Sequence, residues 1–216
     1  MRRLFCLGVT AILALAISGC GGGDSRTVFI AQILSDQPAD GDIAFDGTSF
    51  TITNGPDTIF FGIDDSAPNF PEYRAFLDFP LDGSAGGDVV PSNAGIVSAT
   101  LEVFVNRLDF AGTVPTLIEL VIYPISGLTA ADFNSLPLTF PTGADASRSL
   151  DFFSSDLGNY VAIDVTSLMR EAQRRGLSDF QVRFLLDFVA NPVGFVGIDD
   201  RLNIVLTAPL LIVEYR

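Results

Sequence analysis

Phe180-Gln181-Val182-Arg183-Phe184-Leu185-Leu186-Asp187-Phe188 carries a largely apolar, period-two alternation, the repeat of an extended strand with one buried face. Phe180, Val182, Phe184, Leu186 and Phe188 share one side, which predicts a core face. Gln181, Arg183 and Asp187 share the other, which predicts a solvated one. The pattern recurs upstream, where Ala99, Leu101, Val103 and Val105 alternate with Thr100, Glu102, Phe104 and Asn106. Comparable runs cover 49–53, 58–63, 73–79, 117–123, 160–165, 202–206 and 210–215. Between them stand turn formers, among them Asp46-Gly47, Asn54-Gly55-Pro56, Asp82-Gly83, Gly86-Gly87-Asp88 and Gly143. About ten short strands divided by such turns predict an all-β, antiparallel sandwich or barrel.

One segment departs from period two. Over 166–175 the spacing becomes helical, with Val165, Leu168 and Ala172 on one face, and predicts a short helix. Asp164 or Thr166 is placed to accept the free N–H groups of its first turn, and Gly176 permits a left-handed stop. Arg174 and Arg175 suit the negative C-terminal end of that helix; a ligand clamp is the alternative reading.

The start of the chain reads as an address rather than as fold. Arg2 and Arg3 precede an apolar stretch of about 14 residues, too short to span a bilayer as a helix and of the length found in secretory signals. It ends in Ile17-Ser18-Gly19-Cys20, which resembles a bacterial lipoprotein signal. That likeness implies a signal peptide over 1–19, lipid attached to Cys20, a flexible Gly-rich tether over 20–26 and a single β-domain over 27–216. Gly21, rather than aspartate, follows the cysteine, which points to the outer membrane as the site of anchoring through the lipid.

Composition excludes several chemistries. The chain has no histidine, lysine or tryptophan. Ser-His-Asp and Cys-His catalysis, Schiff-base chemistry and His-containing zinc sites are therefore unavailable. Cys6 leaves with the signal and Cys20 takes the lipid, so no intrachain disulfide is expected. Acidic residues outnumber basic ones by twenty-six to twelve, which makes nucleic acid and anionic headgroups poor partners.

What remains is carboxylate and aromatic chemistry. Gly62-Ile63-Asp64-Asp65 and Gly197-Ile198-Asp199-Asp200 repeat one tetrapeptide, each at the end of an apolar strand. Paired aspartates there are hard oxygen donors suited to calcium, so Asp64, Asp65, Asp199 and Asp200 are candidate ligands; the alternative is that each pair makes a turn. Asp36, Asp40 and Asp42 form a second acidic loop, without EF-hand spacing. Tyr73 and Tyr215 lie on apolar strand faces and are expected in the core. Tyr123 and Tyr160 fall at strand ends and are the candidates for exposed ligand contact.

Four stretches, 73–79, 96–105, 160–168 with its Ile163-Asp164-Val165-Thr166-Ser167-Leu168, and 208–215 with its Ala-Pro-Leu-Leu-Ile-Val-Glu-Tyr close, stand in an order that resembles the DNRLRE-type domain of bacterial and archaeal surface proteins. Asp199-Asp200-Arg201-Leu202 carries part of the motif that names that family. The resemblance implies a jelly-roll-like β-sandwich and, because some members are grouped with carbohydrate-binding modules, a non-enzymatic module for surface glycan contact or adhesion. A carboxylate-dependent glycan-cleaving enzyme and a scaffold for another envelope protein are the alternatives.

Overall fold

The computed structural model describes residues 27–190, 193–201 and 207–216. The expected signal segment, Cys20 with its tether, and the strand expected over 202–206 lie outside the described residues. The strands are β1 (Phe29–Leu34), β2 (Gly41–Phe45), β3 (Phe50–Asn54), β4 (Thr58–Ile63), β5 (Glu72–Pro80), β6 (Ile96–Asp109), β7 (Thr113–Leu120), β8 (Ser147–Phe153), β9 (Tyr160–Asp164), β10 (Asp179–Leu186), β11 (Phe195–Asp199) and β12 (Leu210–Tyr215). All their pairings are antiparallel.

They join in the order β1-β12-β6-β11-β4-β5-β10-β7-β8; the β2-β3 hairpin adds on β5, and β9 adds on β6. Strand β6 makes the sheet curl. One of its edges pairs with β12 over its first part and with β11 over its last, while the other edge holds β9. A register shift between Gly197 and Ile198 marks the bend, as an extra residue in one strand increases local twist. The result is an all-β, jelly-roll-like sandwich. Between its layers lie Ile59, Phe61, Leu77, Phe79, Val103 and Phe184, with Val213 from β12.

The helix α2 (Thr166–Arg175) occupies the residues expected of it, and a second, four-residue helix, α1 (Ala130–Phe133), was not expected. Asp164 Oδ1 accepts the Thr166 N–H at 3.0 Å, and Gly176 ends α2 at φ 68°. Arg174 and Arg175 both bond Glu171, each at 2.6 Å, one turn back. The bonds from Arg174 and then Arg175 hold the Glu171 carboxyl down at about 2.

Strand β10 differs from the sequence reading on one face. Phe180, Val182, Phe184 and Leu186 are buried as expected, but Gln181 and Arg183 on the opposite face are buried too. The β7–β8 connection, carrying α1, folds back over that face and closes a second core of Ile43, Phe76, Val121, Tyr123, Leu128 and Phe133. Arg183 is the tie: its Nη1 donates to the carbonyls of Asp132 and Phe133 at 2.9 Å, at the end of α1. Phe188 lies beyond the strand and is exposed.

Candidate functional site

Antiparallel pairing of β4 with β11 sets Gly62 opposite Phe195 and Thr58 opposite Asp199. The two Gly-Ile-Asp-Asp repeats therefore sit at opposite ends of one strand pair, about 20 Å apart at 3.3 Å per residue. Calcium ligands stand 2.3–2.6 Å from the ion, so the four candidate aspartates are not brought together around one ion. Asp64 makes a turn instead, accepting the Ser66 N–H and hydroxyl. Asp65 is exposed, and Asp199 is buried and paired with Arg201 at 2.5 Å.

Asp200 goes elsewhere. Just past β11 its N–H bonds the Asp57 carbonyl, and its Oδ1 accepts the Ser35 hydroxyl at 3.1 Å from the end of β1. On the far side stands Asp40, whose Oδ1 accepts the Asp78 N–H at 2.6 Å. Local packing forces that position: the next residue, Gly41, has no room for a side chain, since a Cβ would stand 2.1 Å from the Thr53 carbonyl oxygen. The Asp40 and Asp200 carboxyls are within hydrogen-bonding reach of each other, although among the described residues no donor bonds Asp40 Oδ2 or Asp200 Oδ2. Asp78 lies beside Asp40, with the Gln181 side-chain amide close to its own carboxyl.

Burial dominates the electrostatics here. It pushes Asp200 up to about 7, aided by the charges of Asp199 and Asp57. Burial and then the Asp200 charge raise Asp40 well above the usual carboxylate range. Asp78 also rises to about 7 and Asp42 to about 6, both chiefly by burial. None of Asp40, Asp78 and Asp200 has an exposed surface through which a polymer would reach it.

Tyr123, expected at an exposed strand end, is only 4% exposed. Strand β7 stops at Leu120, and the Gln181 side chain then captures the Tyr123 backbone through both its N–H and its carbonyl, laying the residue across the sheet. Its hydroxyl has no partner among the described residues, and its phenol is raised by burial and then by the charges of Asp40, Asp78 and Asp200. Tyr160 is half exposed, at 50%, against the edge of the Phe104 ring. Tyr73 and Tyr215, expected in the core, are partly buried: Tyr73 meets Phe60 and Phe195 edge-on, and Tyr215 stacks on Phe29.

A second feature was not visible before folding. The β4–β5, β6–β7, β8–β9 and β10–β11 connections gather at one end of the sandwich, where the Gly194 carbonyl accepts the Ile63 N–H and Gly112 accepts that of Ser154. Phe70, Phe110, Phe153, Tyr160 and Phe188 are exposed there, Phe70 at 64%. Phe70 and Phe110 also hold left-handed backbone, at φ 48° and 67°, a strain of about 1–3 kcal/mol each that the surrounding loops must support. By contrast, a cleft of about 300 Å³ between the end of α2 and the 81–92 segment has no aromatic lining.

Among the described residues, no three or more His, Cys, Asp or Glu side chains form a group arranged to hold a metal, and no helix is long and apolar enough to cross a membrane. Compared with known proteins, the chain matches no family model and no curated protein.

Proposed function

We propose that the chain is a lipoprotein, anchored through Cys20 in the bacterial outer membrane, whose β-sandwich binds an extracellular polymer without cleaving it. The observation that carries this reading is the aromatic end and its place. Phe29 at the start of β1 pairs with Tyr215, and Tyr215 with Ile96 at the start of β6. Phe110 follows the other end of that 14-residue strand, about 40 Å away along it. A tether ahead of residue 27 would thus hold the exposed rings away from the membrane, where sugar rings can stack on them. The likeness to DNRLRE-type domains belongs to this proposal, and three of its four stretches, on β6, β9 and β12, are neighbours in the sheet.

The non-enzymatic part rests on accessibility. Glycan cleavage uses two carboxyl groups flanking the scissile bond, whereas the acids that come together here are sealed inside the fold. Retention on a panel of polysaccharides, with reducing ends followed in parallel, tests the proposal: retention without new ends is expected, and turnover abolished by one Asp→Asn change overturns it. A scaffold role is the second reading. Leu157, Val189 and Val193 are exposed at the same end, and aliphatic surface suits a protein partner better than a sugar. Failure on every polysaccharide, with capture of one envelope protein lost on substituting those residues, would select it.

A further inference from the structure

Six buried side-chain oxygen atoms among the described residues lack a hydrogen-bond partner, and five of them are Asp40 Oδ2, Asp78 Oδ1, Asp78 Oδ2, Asp200 Oδ2 and Tyr123 Oη. Such atoms are rare in folded proteins, and an absent ion is among the standing explanations. Asp40, Asp200 and the Tyr123 phenol act on one another electrostatically, so a common cause for their three atoms is more economical than three separate accidents. Among the described residues no arginine pairs with these carboxylates: Arg201 is bonded to Asp199, Arg183 to Glu119 and Arg74 to Glu72. Sealing unpaired carboxylates away from water costs several kcal/mol apiece.

We propose that this buried junction is a binding site for a hard divalent cation of the calcium class, ligated by the facing carboxylates of Asp40 and Asp200. Two carboxylates balance the charge of one such ion, so the site requires no third acid. Ser35 Oγ, already bonded to Asp200 Oδ1 at 3.1 Å, and the unpartnered Tyr123 phenol are neutral oxygens at the same place. Asp78, whose N–H holds Asp40, contributes charge. An all-oxygen set without His or Cys disfavours zinc and copper, and calcium accepts irregular oxygen shells that magnesium does not. A single proton shared by Asp40 and Asp200 would satisfy that pair but leave the Tyr123 phenol unserved. The ion would fasten the end of β1 to the end of β11, because Ser35 and Asp200 close that junction. It is independent of what the aromatic end binds.

The test compares the full-length protein in excess calcium chloride, magnesium chloride and chelator at pH 7.5, with calorimetric titration of calcium alone. Calcium is expected to raise the melting temperature of the wild type by roughly 5 °C at saturation and to titrate at one ion per chain. Asp200→Asn and Asp40→Asn should each abolish the shift while melting in chelator no lower than the wild type, since each removes a buried charge. Tyr123→Phe should weaken binding at least fivefold. Equal melting of the wild type in calcium and chelator would overturn the site. So would an undiminished calcium shift in both Asn variants, which would assign the effect to the acidic surface.

Discussion

Arg183 and Glu119 face each other across neighbouring strands β10 and β7, with Nε and Nη2 donating to the same carboxylate oxygen at 3.0 and 2.5 Å. Nη1 of the same guanidinium holds the end of α1, so one side chain fastens the β7–β8 connection to the sheet. Arg183→Ala leaves Glu119 as a buried, unpaired charge and frees the α1 carbonyls. A loss of about 3–5 kcal/mol is expected, measurable by urea denaturation. Arg183→Met, which keeps the volume but not the donors, should rescue little of it.

Phe184 sits on the opposite face of β10, fully buried, with its ring 5.6 Å from that of Phe61. Phe184→Ala should cost about 3–5 kcal/mol through lost burial and a retained cavity. A loss below about 1 kcal/mol would mean that the two layers of the sandwich do not meet here.

The contrast between Phe184 and Arg183 shows what was legible in the sequence. Period two assigned the Phe184 face to the core, but it carried no notice that a distant segment would cover the Arg183 face. Strands β4 and β12 were delimited to the residue by their alternation, whereas β2, five residues with Gly41 and Asp42 at its head, and β8, rich in serine, gave no such signal. The repeated Gly-Ile-Asp-Asp drew attention to Asp200 for the wrong partner. Its neighbour Asp40 lies 160 residues away in the chain, and only the pairing of β2 with β5 brings Asp40 beside Asp78. The acidic loop 36–42 was visible, but its burial was not, because nothing in an aspartate distinguishes a turn from a core position.

Stability should fall as pH rises. The folded-state values of Asp42 and Asp78, about 6 and about 7, lie above the ordinary carboxylate range. For a group raised in the folded state, the stabilising contribution is complete below its unfolded value, near 4, and is lost as pH rises through the folded one. In chelator the protein should therefore melt higher at pH 5 than at pH 8, by an amount reflecting a few kcal/mol. Asp78→Asn should flatten that slope. A melting temperature that climbs from pH 5 to pH 8 in chelator would contradict the burial of these acids.

The anchor has its own test. Cys20→Ala removes the sulfur that would carry the lipid, and the protein should move from membrane to soluble fractions after cell disruption. More than one acyl chain is needed for stable anchoring, so partial acylation should give partial release. Unchanged membrane partition of the variant would contradict lipidation at Cys20.

Phe110 allows stability and binding to be set against each other. Its exposed ring stands on a left-handed backbone at φ 67°, a conformation that glycine adopts without a Cβ penalty. For a surface ring with no binding role, Phe110→Gly should be neutral or stabilising, and nothing else should change. For a ring that contacts a polymer, the same variant should keep or raise the melting temperature while weakening retention, because a contact residue that matters costs more than about 1 kcal/mol when truncated, or at least fivefold in affinity. The expected outcome is the second. Phe70→Gly, at φ 48° on the neighbouring loop, should behave alike, and the double variant should lose retention further. Affinity electrophoresis in gels containing the retained polysaccharide, run beside thermal melts of the same samples, separates the two quantities. Retention falling only in step with the melting temperature would assign both rings to folding rather than to contact.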